Sequence, residues 1–299
     1  MSSETSRRDF LKLTVAGTAA LGALPASLGA AGQGGGKLSL DKGLVYTMLP
    51  EKMSVADRFK LARDTGFKVV QAPTTPDQGE AEELKKAADA AGIKIDSVMN
   101  MAHWKYPLSS PDPADVAKSM EGMRTSLHNA KLWGSDAVLL VPAVVKPNVS
   151  YREAWTRSQK QIRKLLPLAE EVKVVIAIEE VWNKFLLSPL EMARYIDEFR
   201  SPWVKSWFDV GNVVFYGYPQ DWIHTLGKRI CKLHLKDFKV THSCYEWVDL
   251  GEGEVMWPAV RQALIDTGYS GSAICELKTG GEAYLRDVSQ RIDRLLIQA

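Results

Sequence analysis

Four residues that could bind a metal ion each follow a short apolar segment in the second half of the chain. They are Glu180, Asp209, His234 and Glu276. An apolar run of four to six residues that stops at a polar group is typical of a strand buried on both faces. The intervals between the four residues leave room for a helix and two loops, which predicts parallel strands joined by helices. The four side chains would then project from the same end of one sheet.

Three carboxylates and one imidazole form an oxygen-rich donor set with one nitrogen. Such a set suits Mn²⁺, Mg²⁺, Fe²⁺, Co²⁺ or Zn²⁺. A divalent ion bound to a ketone oxygen and the neighbouring hydroxyl would stabilise a developing enediolate. Two carboxylates on opposite faces of the substrate, such as Glu180 and Glu276, could then remove and return a proton. Return to the opposite face gives epimerisation, return to the adjacent carbon gives isomerisation, and the residues leave both reactions open.

Eight strand-like segments alternate with eight helix-like segments between residues 44 and 297. This strict alternation predicts an α/β fold, a single (β/α)₈ TIM barrel. A doubly wound sheet is disfavoured because no dinucleotide-binding glycine fingerprint follows the first strand. Active sites of such barrels lie at the carboxyl ends of the strands, where the four residues fall. The stretch from His234 to Gly253 is predicted as a long loop.

The length and composition of the chain are compatible with one barrel of about 250 residues, because 45% of the 299 residues are apolar. The formal net charge of +2 gives no reason to expect a nucleic-acid partner. The three cysteines lack metal-finger spacing and predict no disulfide framework. A sugar-sized substrate is the expected partner, and a homo-oligomer is compatible with the sequence.

The first thirty residues are predicted to be an export signal rather than part of the fold. The pair Arg7-Arg8, followed by Phe-Leu-Lys and an Ala/Gly/Leu-rich stretch, resembles a twin-arginine signal. The stretch is too short and glycine-rich for a membrane span. We therefore expect a signal peptide at 1–30, a linker at 31–43 and the barrel at 44–299. The mature protein is expected in the periplasm, without a membrane span and with its metal bound before export.

Five motifs in this order resemble the xylose isomerase-like TIM-barrel superfamily of sugar phosphate isomerases and epimerases. They are Glu180-Val181-Trp182-Asn183, Phe208-Asp209-Val210-Gly211-Asn212, His234-Leu235-Lys236-Asp237, Gly251-Glu252-Gly253-Glu254 with Trp257, and Cys275-Glu276-Leu277. The resemblance covers residues 44 to about 296. In the ketose 3-epimerase branch it implies a divalent metal, here taken as Mn²⁺, bound by Glu180, Asp209, His234 and Glu276. It also implies that the first and last of these carboxylates are the catalytic acid/base pair.

Two adjacent glutamates, Glu179 and Glu180, compete for the first ligand position. In the resembled family the ligand glutamate precedes an asparagine by three positions, so Asn183 selects Glu180. Side chains alternate between the two faces of a strand. Glu179 is therefore expected to face the helical layer and to form a salt bridge there.

Six further residues are candidates for binding the substrate. They are His103, Trp104, Trp182, Asn183, Asn212 and Lys236. His103 is interpreted as a hydrogen-bond partner of the substrate, with a structural loop histidine as the alternative. The two tryptophans could stack on a sugar face or serve only in packing. Lys236 lies two residues after His234, shares its face of the strand and is expected to steady an oxyanion.

Three positions depart from the epimerase pattern and leave the substrate and the reaction open. Leu186 replaces a substrate-binding glutamate, Asn212 replaces a histidine, and no arginine is present near Val240. A metal-dependent sugar isomerase or epimerase is the first interpretation. A lyase or dehydratase acting on 3-keto-sugars or glycosides is the second, because phosphorylated sugars are scarce outside the cytoplasm. The third is an abasic-site endonuclease, which needs additional histidines, or a non-catalytic sugar-binding barrel, which would be expected to lose metal ligands.

Overall fold

The computed structural model describes residues 38–240 and 245–298. The strands are β1 (Asp41–Val45), β2 (Val69–Pro73), β3 (Lys94–Met99), β4 (Ala137–Leu140), β5 (Val175–Glu179), β6 (Val204–Asp209), β7 (Ile230–Leu235), β8 (Asp237–Val240), β9 (Tyr245–Val248) and β10 (Ser272–Cys275). The helices are α1 (Val55–Asp64), α2 (Gln78–Ala91), α3 (Pro113–Trp133), α4 (Tyr151–Val172), α5 (Pro189–Asp197), α6 (Pro219–Leu226), α7 (Trp257–Asp266) and α8 (Glu282–Ile292). The predicted signal peptide at 1–30 and most of the predicted linker lie outside the described residues.

Eight of these strands close into a parallel barrel. Around the ring the order is β1, β10, β7, β6, β5, β4, β3 and β2. A helix follows each barrel strand, so the predicted (β/α)₈ barrel is confirmed. The strands are buried on both faces, as the fully buried residues of β4 and β10 illustrate. The apolar runs of the sequence are therefore explained by burial between the barrel interior and the helical layer.

Local sequence signals set the ends of the helices. Ser150 and Glu153 form a capping box at the start of α4, and Asp112 caps α3 just before its Pro113. Gly134 ends α3 in the left-handed conformation, with φ of 70°. These caps satisfy backbone groups that the helices leave unpaired. They therefore stabilise the points at which the helices of the outer layer begin and end.

Two predicted boundaries are corrected by the structure. Strand β1 begins at Asp41, inside the predicted linker 31–43, because Asp41 to Leu44 pair with Ser272 to Cys275 of β10. Closing the ring requires this pairing, which the first strand's own sequence does not reveal. The predicted loop after His234 contains an antiparallel hairpin, in which β8 pairs with β9 from Asp237↔Val248 to Val240↔Tyr245.

A buried ion pair crosses the barrel below the site. Lys232 of β7 is 4% exposed, and its Nζ lies 2.7 Å from Oδ2 of Asp96 on the opposite strand β3. Asp136 Oδ1 lies 2.8 Å from the same ammonium, and Ser272 also donates to Asp96. Lys232 therefore points into the barrel interior. By the two-residue period of a strand, His234 shares this inward direction.

Among the helices that lie within residues 38–240 and 245–298, none combines the length and the apolar character needed to cross a membrane. The longest of them, α3 and α4, carry charged residues throughout. Both pack on the outside of the barrel through a buried face. They belong to the helical layer of the fold.

We predict that Lys232→Met lowers the free energy of unfolding by about 3–5 kcal/mol, because it leaves the carboxylate of Asp96 buried without a counter-charge. Urea unfolding followed by circular dichroism measures this loss. Lys68→Met is the matched control, since Lys68 and its partner Asp41 have side chains that are 66% and 56% exposed. The control is expected to lose less than about 1 kcal/mol. Equal losses in the two variants would contradict the prediction.

Candidate functional site

Four adjacent strands of the ring bring three carboxylates and one imidazole together at their carboxyl ends. Asp209 and His234 are direct partners in the pairing of β6 with β7, and Glu276 follows β10. Glu179 is the last residue of β5. Each of these four residues offers one ligand atom, and the four atoms lie within 4.8 Å of one another. The structure therefore brings three of the four predicted ligands into one cluster.

The fourth member of the cluster is Glu179, so the prediction that Glu179 faces the helical layer is wrong. Glu179 does not face the helical layer: its Oε1 lies 2.7 Å from Nδ1 of His234 inside the barrel. Alternation along a strand gives only the relative direction of two neighbouring side chains and not which of them points into the barrel. Ala177 and Glu179 both point inward, and β5 ends at Glu179.

Glu180 lies beside the cluster rather than in the helical layer. Because it follows the last residue of β5, strand alternation no longer dictates its direction. Its side chain is fully buried, and Oε1 accepts a hydrogen bond of 2.7 Å from the backbone N–H of Asp209. Oε2 has no hydrogen-bond partner among the described residues. Burial and the charges of Asp209 and Glu179 raise the pKa of Glu180 well above its ordinary value. Its predicted role as a metal ligand and catalytic residue stays a prediction.

Both ring nitrogens of His234 contact oxygen atoms. Nδ1 faces Glu179, and Nε2 lies 2.8 Å from Oε1 of Gln71, on the far side of the barrel in β2. Burial alone would lower the pKa of His234, but the carboxylates of Glu276 and Glu179 outweigh it and raise the pKa. The two carboxylates therefore favour the protonated form of the imidazole, in which both ring nitrogens are donors.

Lys236 supplies a second positive charge to the cluster. Its Nζ lies 2.9 Å from Oδ2 of Asp209 and 2.5 Å from Oε2 of Glu276. Burial disfavours the charged form of Glu276, but the charges of His234 and Lys236 hold its pKa below the ordinary value. Gly211 leaves the space that Lys236 needs next to β6, because a Cβ at position 211 would lie 2.6 Å from Cβ of Lys236.

The cluster has the donor chemistry of a divalent-metal site. Three carboxylates and an imidazole converge, and the buried Oε2 of Glu180 next to them accepts no hydrogen bond from the part of the chain that the structure describes. Carboxylates suit Mg²⁺ and Mn²⁺, and an imidazole suits Fe²⁺ or Zn²⁺, so the mixed donor set is compatible with several divalent metals. The ammonium of Lys236 neutralises the same carboxylates, so a metal and Lys236 would compete for Asp209 and Glu276. The residues present fit a divalent metal.

His103 lies in the loop that follows β3 and is held by the backbone. Oδ1 of Asn100 accepts from the N–H of His103, and Nδ1 of His103 accepts from the N–H of Val141 at 3.3 Å. Burial lowers the pKa of His103 to about 4, which the nearby charge of Glu276 only partly offsets. The ring is therefore neutral at pH 7, and because Nδ1 is an acceptor its proton is on Nε2.

The other predicted substrate residues divide into two groups. The tryptophans Trp104 and Trp182 are about half exposed at this end of the barrel. The amides of Asn183 and Asn212 are buried and bonded to backbone: Asn183 donates to the carbonyl of Ala143, and Asn212 to that of Glu180. These bonds shape the loops after β5 and β6. A role of the four residues in binding substrate stays a prediction.

A cavity of about 520 Å³ opens between the cluster and the hairpin. Its lining includes Lys236, Glu276, Trp247, Asp249, Glu252 and Lys278. The side chain of Glu276 is 31% exposed, whereas those of Asp209 and His234 are fully buried. Glu276 is therefore the member of the cluster that a bound molecule would meet.

Sequence reasoning missed Glu179, Gln71 and Trp247 as residues of this site. Gln71 lies within a strand that ends at the same face as the cluster, and its polar side chain in an apolar run was a usable signal. Trp247 belongs to the hairpin, where exposed aromatic residues alternate with charged ones. The carboxylate of Asp237, in the motif that contains His234, accepts from Phe238, Gly251, Val255 and Trp257.

Comparison with known proteins identifies the family of the chain. The family model described as "Xylose isomerase-like TIM barrel" matches residues 59–295. The chain belongs to this family. Among curated members, L-ribulose-5-phosphate 3-epimerase of Escherichia coli strain K12 is 24% identical over 246 residues, covering 79% of this chain and 86% of the relative. The same enzyme of Salmonella enteritidis is 24% identical over 248 residues with the same coverage. Both are epimerases, which are isomerases in the broad sense.

Solved structures show the same fold. The 3-keto-D-glucoside 4-epimerase from E. coli superposes with a TM-score of 0.72 at 14% identity, covering 86% of this chain and 99% of that chain. A D-allulose 3-epimerase from Methylomonas sp. superposes with a TM-score of 0.68 at 19% identity, covering 85% and 91%. At these identities the likeness establishes the barrel architecture of the family.

We predict that Glu179→Gln weakens Mn²⁺ binding more than about tenfold, the effect of disturbing a metal site, because its carboxylate is a member of the cluster. Glu180→Gln is the matched variant and should weaken binding less, since its Oε1 is already bonded to the backbone of Asp209. Isothermal titration of chelator-treated protein with Mn²⁺ measures both. The reverse order would make Glu180 the ligand, as the family motif predicts.

We predict that His103 stays neutral down to about pH 4 and that folding stability falls as the medium is acidified towards that value. The unfolded state takes up the proton near pH 6.5, whereas the folded state takes it up near pH 4. Between these values the unfolded state binds more protons, so acid costs up to about 3 kcal/mol from this group. Unfolding measured at pH 4.5 and 7 in wild type and His103→Gln tests this. An unchanged pH dependence in the variant would contradict it.

Proposed function

We propose that this protein is a divalent-metal-dependent sugar epimerase or isomerase that works by proton transfer next to a carbonyl group. The observation that supports the proposal most strongly is the cluster of Glu179, Asp209, His234 and Glu276 at the carboxyl ends of the barrel strands. Active sites of TIM barrels lie at this end. The epimerase relatives support the reaction class.

The metal would be bound by the four residues of the cluster, with Mn²⁺ as the proposed ion. When bound, it would act as a Lewis acid on the carbonyl oxygen of the sugar. Asp209 and His234 are held rigidly by their strands, because both are fully buried and paired in register. Glu276 faces the cavity, so it can contact both the metal and the substrate.

The carboxyl groups of the site have pKa values that are shifted in opposite directions. That of Glu276 is lowered, and that of Glu180 is raised well above its usual range. A lowered pKa favours the ionised form that a base needs, and a raised pKa favours the protonated form that an acid needs. Glu276 is thus the proposed base that removes the proton, and Glu180 the proposed acid that returns one. This is the pair that the family resemblance implied.

Two neighbouring groups would support the developing negative charge on the substrate. The ammonium of Lys236 lies next to Glu276 at the cavity. The neutral imidazole of His103 offers a hydrogen-bond donor at Nε2. Preorganised donors of this kind stabilise an oxyanion without having to move during the reaction. As part of this proposal the enzyme acts in the periplasm, which rests on the twin-arginine-type sequence of residues 1–30.

We predict that Glu276→Gln lowers the exchange of substrate hydrogen with D₂O at least about 10²-fold, because the proposed base is lost. Proton NMR of free ketoses and 3-keto-sugars incubated with protein and Mn²⁺ in D₂O measures the exchange and identifies the reacting carbon. Glu282→Gln, an exposed residue of α8, is the control and should behave as wild type. Exchange that persists in Glu276→Gln would exclude Glu276 as the base. Exchange that is absent in the wild type for all of these sugars would count against the proposed function.

A further inference from the structure

A contiguous group of half-exposed aromatic rings lies at the edge of the cavity. This aromatic surface consists of Trp182, Phe215, Tyr245 and Trp247, packed over the buried ring of Phe238. Each of the four outer residues is between 45% and 61% exposed. Single exposed apolar residues are common, whereas a contiguous group of large ones marks a binding surface.

The rings of the aromatic surface are held in fixed positions. Trp182 and Trp247 are stacked, with centroids 5.1 Å apart and planes 25° from parallel. Phe238 meets Trp182 edge-on at 4.9 Å, and the indole N–H of Trp182 donates to the carbonyl of Asn212 at 2.8 Å. Little conformational freedom would therefore be lost when a ligand packs against them.

The aromatic surface is continuous with the proposed catalytic groups. Trp247 lines the cavity together with Lys236 and Glu276. The ammonium of Lys236 lies 5.3 Å from the ring centroid of Trp247. A molecule that places its reacting carbon at Glu276 and extends beyond one ring would pass next to Trp247. The cavity volume of about 520 Å³ falls in the range of about 300–1,000 Å³ that is usual for small-molecule sites.

We propose that the aromatic surface is a second subsite, which binds the outer ring of a glycoside while the inner sugar ring occupies the cavity at Glu276. This inference rests on the proposed function. A pyranose presents C–H groups on its faces, and an aryl group presents a flat ring, so both pack on indole and phenol faces. The hydroxyls at the edge of a sugar can reach the charged side chains of Glu246, Asp249 and Lys278, which line the same cavity.

The charges around the aromatic surface favour a small polar ligand over a protein partner. Glu246 lies between Tyr245 and Trp247 in β9 and is exposed. Asp249, Glu252 and Lys278 continue the charged lining of the cavity. Charged residues are depleted in the core of protein interfaces. A second copy of the chain bound to these rings would also block the cavity that the substrate must enter.

Binding of one-ring and two-ring ligands to the full chain tests this subsite. The probes are D-glucose, cellobiose and phenyl β-D-glucopyranoside, and NMR titration gives the dissociation constants. Stacking of an outer ring should make at least one two-ring probe bind about 3- to 10-fold more tightly than D-glucose. If cellobiose binds more tightly than D-glucose, the outer ring is a sugar. If the phenyl glucoside binds more tightly than D-glucose, the outer ring is an aryl group.

Two variants localise the effect on the aromatic surface. Trp247→Ala and Tyr245→Ala should each reduce the advantage of the two-ring probe, and circular dichroism checks that both fold. Tyr245 is 61% exposed, so its removal leaves the packing below it largely unchanged. Tyr218→Ala is the matched control, because Tyr218 is a comparably exposed tyrosine that lines a different cavity. The control should retain the full advantage.

Three results would overturn the second subsite. They are equal affinity for the three probes, an advantage that survives both Trp247→Ala and Tyr245→Ala, and a wild-type oligomer that Trp247→Ala dissociates in light scattering. The D₂O exchange experiment separates this inference from the proposed function. If exchange is observed but neither two-ring probe binds more tightly than D-glucose, the proposed function stands and the second subsite is excluded. If a two-ring probe binds more tightly and this depends on Trp247, but no exchange is observed, the protein has a glycoside-binding site and the proposed epimerase activity is excluded.

Discussion

The main physical constraint on the site is the repulsion between carboxylates that are buried and held close together. Glu179, Glu180, Asp209 and Glu276 meet at the carboxyl ends of adjacent strands, and all but Glu276 are fully or nearly fully buried. A buried charge without a partner costs several kcal/mol, of the order of 3–5. Strand β7 provides the compensation, because its inward residues are basic. Lys232 balances Asp96 low in the barrel, and His234, with Lys236 just beyond the strand end, balances the carboxylates above it. A divalent ion would add positive charge at the place where this arrangement concentrates negative charge.

The positions of most site residues could be predicted from the sequence because parallel strands in a closed barrel all end on one side. A polar residue at the end of an apolar run therefore falls near the others, as Asp209, His234 and Glu276 do. The choice between Glu179 and Glu180 could not be made in this way. Strand alternation says that two neighbours point apart, but it does not say which of them points inward. The inward direction of Glu179 is seen in its contact with His234, against which Trp207, the neighbour of Glu179 in β6, also packs.

The β8–β9 hairpin escaped prediction for a different reason. It lies between two family motifs, and its strands are too short to be recognised against a loop. Alternation of aromatic and charged residues in β9 was the available signal. The contact of Gln71 with His234 likewise depends on two strands that are far apart in sequence and face each other across the ring. Strand ends are local properties of the chain, whereas contacts across the barrel are not.

One buried carboxylate, that of Asp237, joins the hairpin to the loop before α7. It accepts hydrogen bonds from the backbone of Phe238, Gly251 and Val255 and from the indole of Trp257. Gly253 has no room for a side chain beside it. The hairpin is therefore attached through the hydrogen bonds of a buried residue of the family motifs and not through the exposed residues of β8 and β9. Substitution of those exposed residues would leave the attachment intact, so that ligand preference could change while the carboxylate–imidazole cluster stays the same.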